Sequence, residues 1–159
     1  MHQDALSPEQ RRALLALRPA AERGFYLAGG SALCLRLAHR RSIDLDLSLV
    51  EPEVCLGVPV ASIADIAAMK VEAIASRGAR KDFVDLYFIC QQPGFNLTAA
   101  LDAFEARFAS ARPDLLHRVK ALTYFEDAER EPDLLLLRLV AWPDVKAFFE
   151  REVTAWWQK

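Results

Sequence analysis

From Ser42 to Val50 the chain alternates almost without a break. Ile43, Leu45, Leu47 and Leu49 fall on one side, and Ser42, Asp44, Asp46 and Ser48 on the other. A period of two marks a strand with one buried face. Such a strand cannot stand alone, so the N-terminal third must hold a sheet. Asp44 and Asp46 then project from the same face, where they repel each other unless water or a cation intervenes. Taken alone, D-x-D on an alternating strand is better explained by a solvated face.

The neighbouring sequence supplies the strand's partners. Phe25 to Ala28 reads as a short buried strand, and Gly29-Gly30 as a turn where backbone can approach a ligand closely. Ser31 to Ala38 reads as a helix with Leu33 and Leu37 on one face. Val54 to Ala61 reads as a third strand, with Pro59 marking an edge or the strand's end. Ahead of these, Ser7-Pro8-Glu9-Gln10 signals a capped helix running to about Leu17, where Arg18-Pro19 interrupts it.

From Ser62 the periodicity is helical. Ser62 is an N-cap with Asp65 three residues on; Ile66, Met69, Lys70, Ala73 and Ile74 fall on neighbouring faces, and Gly78 is a stop. Further helices are expected over Lys81–Gln91, Thr98–Ala109 and Asp114–Leu122, the last presenting Leu115, Leu116, Val119 and Leu122 inward. A final helix opens at Trp142-Pro143-Asp144 with Val145, Phe148, Phe149, Val153 and Trp156 on one stripe. The run Leu134 to Leu137 has no assignable period. The order of elements is α+β: a small mixed sheet near the N-terminus packed by helices, then a helical C-terminal half. Residues 1–92 are expected to form the sheet-bearing core, with 93–159 packed on it as one compact unit.

With 53% hydrophobic and 26% charged residues, the 159-residue chain can bury a core. A net charge of −2 gives no global field, so contact with nucleic acid or nucleotide needs a local basic patch. Cys34, Cys55 and Cys90 are widely separated among apolar neighbours and read as buried thiols rather than a disulfide framework or metal cluster. Asp4, Glu9, Arg11 and Arg12 interrupt any signal-peptide core, and no window is apolar enough to span a bilayer. The expectation is a cytoplasmic protein with no membrane partner.

Three groups of residues suggest chemistry. Gly29-Gly30-Ser31 stands between a strand and a helix, where N–H groups can cradle a phosphate and Ser31 adds a hydroxyl. A tight turn with an N-cap would look the same, and no Walker A pattern is present. Asp44 and Asp46 offer hard oxygens of the kind that hold Mg²⁺ together with substrate phosphates. Downstream, Lys70 and Arg77 lie two turns apart, and Lys81, Asp82 and Asp85 open the next helix. Lys70 or Arg77 could neutralise a triphosphate. Asp82 and Asp85 share a face and also suit a helix N-terminus. The bases His39, Arg40, Arg41, Arg77, Arg80 and Lys81 favour an anionic acceptor; a solvated surface of mixed charge fits them equally well.

Taken in order, G-G-S, then H-R-R-S-x-D-L-D, then K-x-x-A-x-x-x-R-x-x-x-K-D-x-x-D-L resembles the AbiEii/AbiGii-type nucleotidyltransferase toxins of the minimal nucleotidyltransferase superfamily. The resemblance covers Phe25 to Ile89 and continues more weakly through "LTYFEDAEREP" and the Trp-rich last helix. It implies a nucleotidyltransferase-like core that uses Mg²⁺ to move a nucleotide from an NTP to an RNA acceptor, the 3′ end of tRNA, with a cognate antitoxin as protein partner. Carried over, Gly29, Gly30 and Ser31 hold the triphosphate, with Arg77 and Lys81 as further nucleotide contacts. Asp44 and Asp46 bind Mg²⁺ and position the attacking hydroxyl. Lys70 contacts the phosphates, and Asp82 or Asp85 completes the catalytic set.

The chain departs from the family between Asp46 and Lys70, where only 23 residues stand. Relatives have a longer stretch there, with further strands and commonly a third carboxylate. Here Glu51, Glu53 and Asp65 are the only acids in the interval. An alternative reading follows: a catalytically silent domain that binds nucleotide or a protein partner, with Trp142, Trp156 and Trp157 as contact candidates. Transfer to a small cationic molecule is a third reading, but no acidic cleft beyond the motif carboxylates supports it.

Overall fold

The computed structural model describes residues 1–41, 46–48, 53–111 and 114–158; for 46–48 and Glu53 it describes the backbone alone. The chain divides into two compact units, Met1–Ile66 with Leu135–Arg138, and Ala67–Leu134 with Leu139–Lys159. The class is α+β, as the order of elements implies.

The first unit opens with helix α1 (Pro8–Ala16). Ser7 Oγ accepts from Gln10 N–H at 3.2 Å, and Gln10 Oε1 accepts from Ser7 N–H at 3.0 Å, closing the capping box. Helix α1 stops at Ala16 with Leu17 as its C-cap, so Arg18-Pro19 interrupts it as expected, and Pro19 itself does not leave helical structure. It falls in the first turn of a short helix, α2 (Arg18–Ala21), where a missing N–H costs nothing.

Strands β1 (Tyr26–Ala28), β2 (Asp46–Ser48), β3 (Glu53–Cys55) and β4 (Val58–Val60) form one sheet in the order β2-β1-β4-β3. β1 pairs antiparallel with β2 and parallel with β4, and β3 pairs antiparallel with β4. The expected strand over Val54 to Ala61 is therefore a hairpin. Leu56 and Gly57 turn it with φ of +54° and +82°, the geometry of a two-residue type I′ loop. Pro59 lies in a central strand rather than at an edge. It faces Val54, and β1 meets β4 at Leu27↔Val60, where Ala61 N–H donates to the Leu27 carbonyl at 2.8 Å. The missing N–H falls ahead of that bridge, so the ladder loses no donor there.

Helix α3 (Gly29–Leu37) follows β1 directly and packs on β1, on β2 and on the N-terminal turn Gln3–Ala5. Covered by all three, it buries Gly30 through Leu35 as well as Leu37, not only the expected face. Leu135 to Leu137 of the unassigned leucine run join this unit. Arg40 bridges Leu136, Leu137 N–H donates to the His39 carbonyl at 2.8 Å, and Arg41 N–H to the Leu135 carbonyl at 3.1 Å. Of the expected strand over Ser42 to Val50, residues 42–45 and 49–50 lie outside the described residues.

Helix α4 (Ile63–Arg77) begins as expected. Ser62 Oγ accepts from Asp65 N–H at 3.0 Å, and the helix ends at Gly78. The second unit holds the rest of α4, then α5 (Arg80–Cys90), α6 (Leu97–Phe108), α7 (Leu115–Ala121), α8 (Glu126–Glu129) and α9 (Trp142–Trp157). Phe83 centres its core, with ring centroids 5.2 Å from Phe125, 5.9 Å from Trp142 and 5.5 Å from Phe149. Of the expected α9 stripe, Val145, Phe148, Phe149 and Val153 are buried, while Trp156 near the helix end is half-buried. In α7, Val119 and Leu122 are buried but Leu116 is exposed, because it lies one helical step off the stripe through 115, 119 and 122.

Candidate functional site

The two units hold different parts of the expected site. In the first, β1 delivers Ala28 as the N-cap of α3 in extended conformation, with no side-chain cap bond. The first-turn N–H groups of α3 thus meet no side-chain acceptor at their cap position, the arrangement that suits an anion. Gly29 has φ +63°, a conformation open to glycine at no steric cost, so the turn and the helix start coincide. Gly29 is half-buried, while Gly30 and Ser31 are buried. The Ser31 hydroxyl is therefore not on the surface.

The β1–β2 register pairs Ala28 with Asp46. Directly opposed residues in an antiparallel ladder have Cα atoms about 4.5–5.5 Å apart. The second aspartate of D-x-D thus starts its strand beside the residue that leads into Gly29-Gly30-Ser31. Asp44 lies outside the described residues. Among the described residues no three His, Cys, Asp or Glu side chains gather at a spacing suited to a metal. The donor chemistry of an Asp44–Asp46 pair, hard carboxylate oxygens, fits Mg²⁺.

In the second unit, α4 carries Lys70 and Arg77, and the first turns of α5 carry Lys81, Asp82 and Asp85. Lys70 Nζ donates to Asp82 Oδ1 at 2.8 Å and lies 2.7 Å from Asp85 Oδ2. Arg77 donates to the other side of Asp82, Nε to Oδ2 at 2.7 Å and a terminal nitrogen to Oδ1 at 3.0 Å. Asp82 and Asp85 are fully buried and Lys70 nearly so, while the Arg77 side chain is 55% exposed. Two buried anions are thus matched by two cations, which offsets the cost of taking them from water. Burial opposes the Lys70 charge, but Asp85 and Asp82 outweigh it and hold the ammonium above its ordinary range. Burial likewise pushes Asp82 up, and the Arg77 hydrogen bond and the Lys70 charge overcome it, so the carboxyl sits below its ordinary range. Lys81 is half-buried beside this cluster in sequence.

Several bases read as surface charge have structural work. His39 and Arg40 are buried. Arg80 Nε donates to the Ala128 carbonyl at 2.9 Å, its NH1 pairs with Asp133 at 2.8 Å, and its guanidinium lies 5.2 Å from the Trp142 ring. Its own N–H donates to Glu131 Oε2 at 2.8 Å. Sequence reading missed this clamp because its acceptors follow Arg80 by some fifty residues. It also missed the pairing of Arg118 with Glu72 at 2.9 Å. No helix is long and apolar enough to cross a membrane, among the described residues.

Comparison with known proteins agrees with the motif order. The family model described as nucleotidyl transferase AbiEii toxin, type IV toxin–antitoxin system, matches residues 51–158. An uncharacterized protein of Aquifex aeolicus (strain VF5) is 30% identical over 203 residues, covering 93% of this chain and 96% of the relative. That aligned length exceeds the 159 residues present here, so the relative carries insertions that this chain lacks. No solved structure matches. The family match spans well over half of the sequence, and the chain belongs to the AbiEii nucleotidyl transferase toxin family of type IV toxin–antitoxin systems.

Proposed function

We propose that this chain transfers a nucleotide from an NTP to an RNA acceptor, the 3′ end of tRNA, and that a cognate antitoxin restrains it. The Ala28↔Asp46 register carries this reading. The residue that leads into the Gly29-Gly30 helix start and the second aspartate of D-x-D are partners in one antiparallel pair, which supports a shared phosphate and metal site. Gly29 and Gly30 offer backbone N–H groups to the triphosphate. Asp44 and Asp46 would hold Mg²⁺ and position the acceptor hydroxyl. The bound ion supplies charge neutralisation on the phosphates. The acceptor hydroxyl releases its proton to solvent, its oxygen bonds to the α-phosphorus, the α–β bridging P–O bond breaks, and pyrophosphate leaves. Arg77, held by Asp82 yet half-exposed, and Lys81 are the cations we assign to the nucleotide phosphates. Lys70, enclosed by Asp82 and Asp85, acts by fixing α4 against α5 unless nucleotide draws it out.

Two observations favour a second reading. Lys70 is already neutralised inside the protein, and the connection from Asp46 to Lys70 is short. A silent domain that binds nucleotide or a protein partner would show both features. Equilibrium binding of each NTP with and without Mg²⁺ separates the two. Catalysis requires Mg²⁺-dependent binding that Asp46→Asn removes. Binding that ignores both Mg²⁺ and Asp46→Asn supports the silent domain.

A further inference from the structure

A cavity of about 400 Å³ opens in the second unit, between the C-terminal half of α4, α7 and the turn leading into α8. Arg77, Gly78, His117, Lys120, Tyr124 and Asp127 are among its lining residues. All of its lining residues belong to the second unit, and none is Gly29, Gly30, Ser31 or Asp46.

Its chemistry is specific in three respects. His117 and Lys120 stand three residues apart on α7 and share a face. Among the described residues neither side chain has an ion-pair or hydrogen-bond partner. Arg77, fixed from behind by Asp82, adds a third nitrogen-bearing group. The Tyr124 ring is 51% exposed, and its hydroxyl donates to Glu126 Oε2 at 3.0 Å, which fixes one edge of the ring. Asp127 supplies an acceptor. Its Oδ1 lies 3.6 Å from Arg130, and its Oδ2 is 3.6 Å from where a Cβ on Gly78 would stand. Cationic donors, an aromatic platform and one carboxylate acceptor match the three parts of a nucleotide. Phosphate meets His117 and Lys120, with Arg77 at the edge of the cavity. A base stacks on Tyr124. An exocyclic amine donates to Asp127, as cytosine does to acidic side chains.

We infer that this cavity is a subsite for one nucleotide of single-stranded RNA, selective for a base that carries an exocyclic amine. The inference deepens the acceptor half of the proposed function and rests on it for the identity of the ligand. Its test needs neither Mg²⁺ nor NTP, so it fails or stands independently of transfer.

The full chain is titrated in EDTA with a fluorescein-labelled hexanucleotide of cytidine, followed by anisotropy, with CMP, UMP and inorganic phosphate as competitors. Tyr124→Leu and Lys120→Ala each weaken RNA binding about tenfold, while Arg12→Ala, an equal loss of charge in the first unit, leaves it unchanged. CMP displaces the RNA about tenfold more effectively than UMP, and Asp127→Asn narrows that ratio. Displacement by phosphate as effective as by CMP marks an anion site without base recognition and overturns the inference. So does absence of binding, or equal weakening by Arg12→Ala and Lys120→Ala with Tyr124→Leu neutral. All four substituted side chains are at the surface, and unchanged circular dichroism melts verify the fold of each variant.

Discussion

Lys70 and Asp82 meet at 2.8 Å in the interior of the helical unit, the lysine side chain 6% exposed and the aspartate not at all. Asp85 closes the same ammonium from a second side at 2.7 Å. The pair ties the middle of α4 to the first turn of α5. It makes residues that the motif offers to a substrate into part of the core.

Removing Lys70 leaves two buried carboxylates facing each other. Lys70→Met is expected to destabilise the protein by about 3–5 kcal/mol, read as a lowered midpoint in urea unfolding. Arg77→Ala costs less, because its side chain is half-exposed and water replaces part of the lost partner. Equal effects from the two would contradict this picture.

The same cluster sets limits in pH. Asp82 is held below its ordinary value of 3.8, so its contribution is complete above that pH and is lost as pH falls through the lower folded value. Lys70 is held above 10.5, so its contribution is complete below that pH and is lost as pH rises through the higher folded value. Thermal unfolding of wild type and Asp82→Asn should differ by a constant amount between these limits. The gap should shrink in acid. A gap that closes near neutrality would remove the ion cluster from the account.

The hairpin turn carries a correctable strain. Leu56 adopts φ +54°, costly for a side chain with a Cβ, whereas Asn tolerates it and Asn-Gly is a preferred type I′ pair. Leu56→Asn is expected to stabilise the chain by about 0.5–1 kcal/mol. Gly57→Ala does the opposite, since its φ is +82° and a Cβ there would stand 2.7 Å from Arg18 Nε. Differential scanning calorimetry should move the two melting temperatures in opposite directions.

Cys34, Cys55 and Cys90 are buried and form no disulfide. Burial, with Glu152 nearby, pushes the Cys90 thiol up to about 12, and burial raises Cys55 as well. Thiolate is the reactive form, so native protein should react slowly with an aromatic disulfide at pH 8, and all three thiols should react at once in denaturant. A fast native equivalent would place one cysteine at the surface.

Local signals were the legible part of this fold. Ser7 with Gln10, Ser62 with Asp65, and Gly78 each act within one helical turn, and the structure uses each as read. Strand β1 was legible as a short apolar run before glycine. The β3–β4 hairpin was not, because leucine in place of asparagine at position 56 hides the turn. Pro59 misled for a related reason: whether a strand is central depends on register, which no short window contains. The leucine run 134–137 pairs with residues 39–41, and Arg80 finds its acceptors on and after α8. Such contacts across long sequence separations leave no period. In the candidate site, the motif residues were visible as letters at fixed spacing. That Lys70 closes on Asp82 and Asp85 was not, since the same spacing serves a phosphate contact or an internal ion cluster. The cavity lined by His117, Lys120 and Tyr124 left no motif at all.

The central claim is nucleotidyl transfer, and the label itself tests it most directly. Total tRNA is incubated with Mg²⁺ and each NTP, labelled in turn at the α- and the γ-phosphate, with wild type and Asp46→Asn side by side. The account predicts α-label retained in tRNA, γ-label released in pyrophosphate, and a loss on the order of a hundredfold or more in Asp46→Asn. No α-label in RNA from folded wild-type protein, or incorporation undiminished by Asp46→Asn, would contradict it.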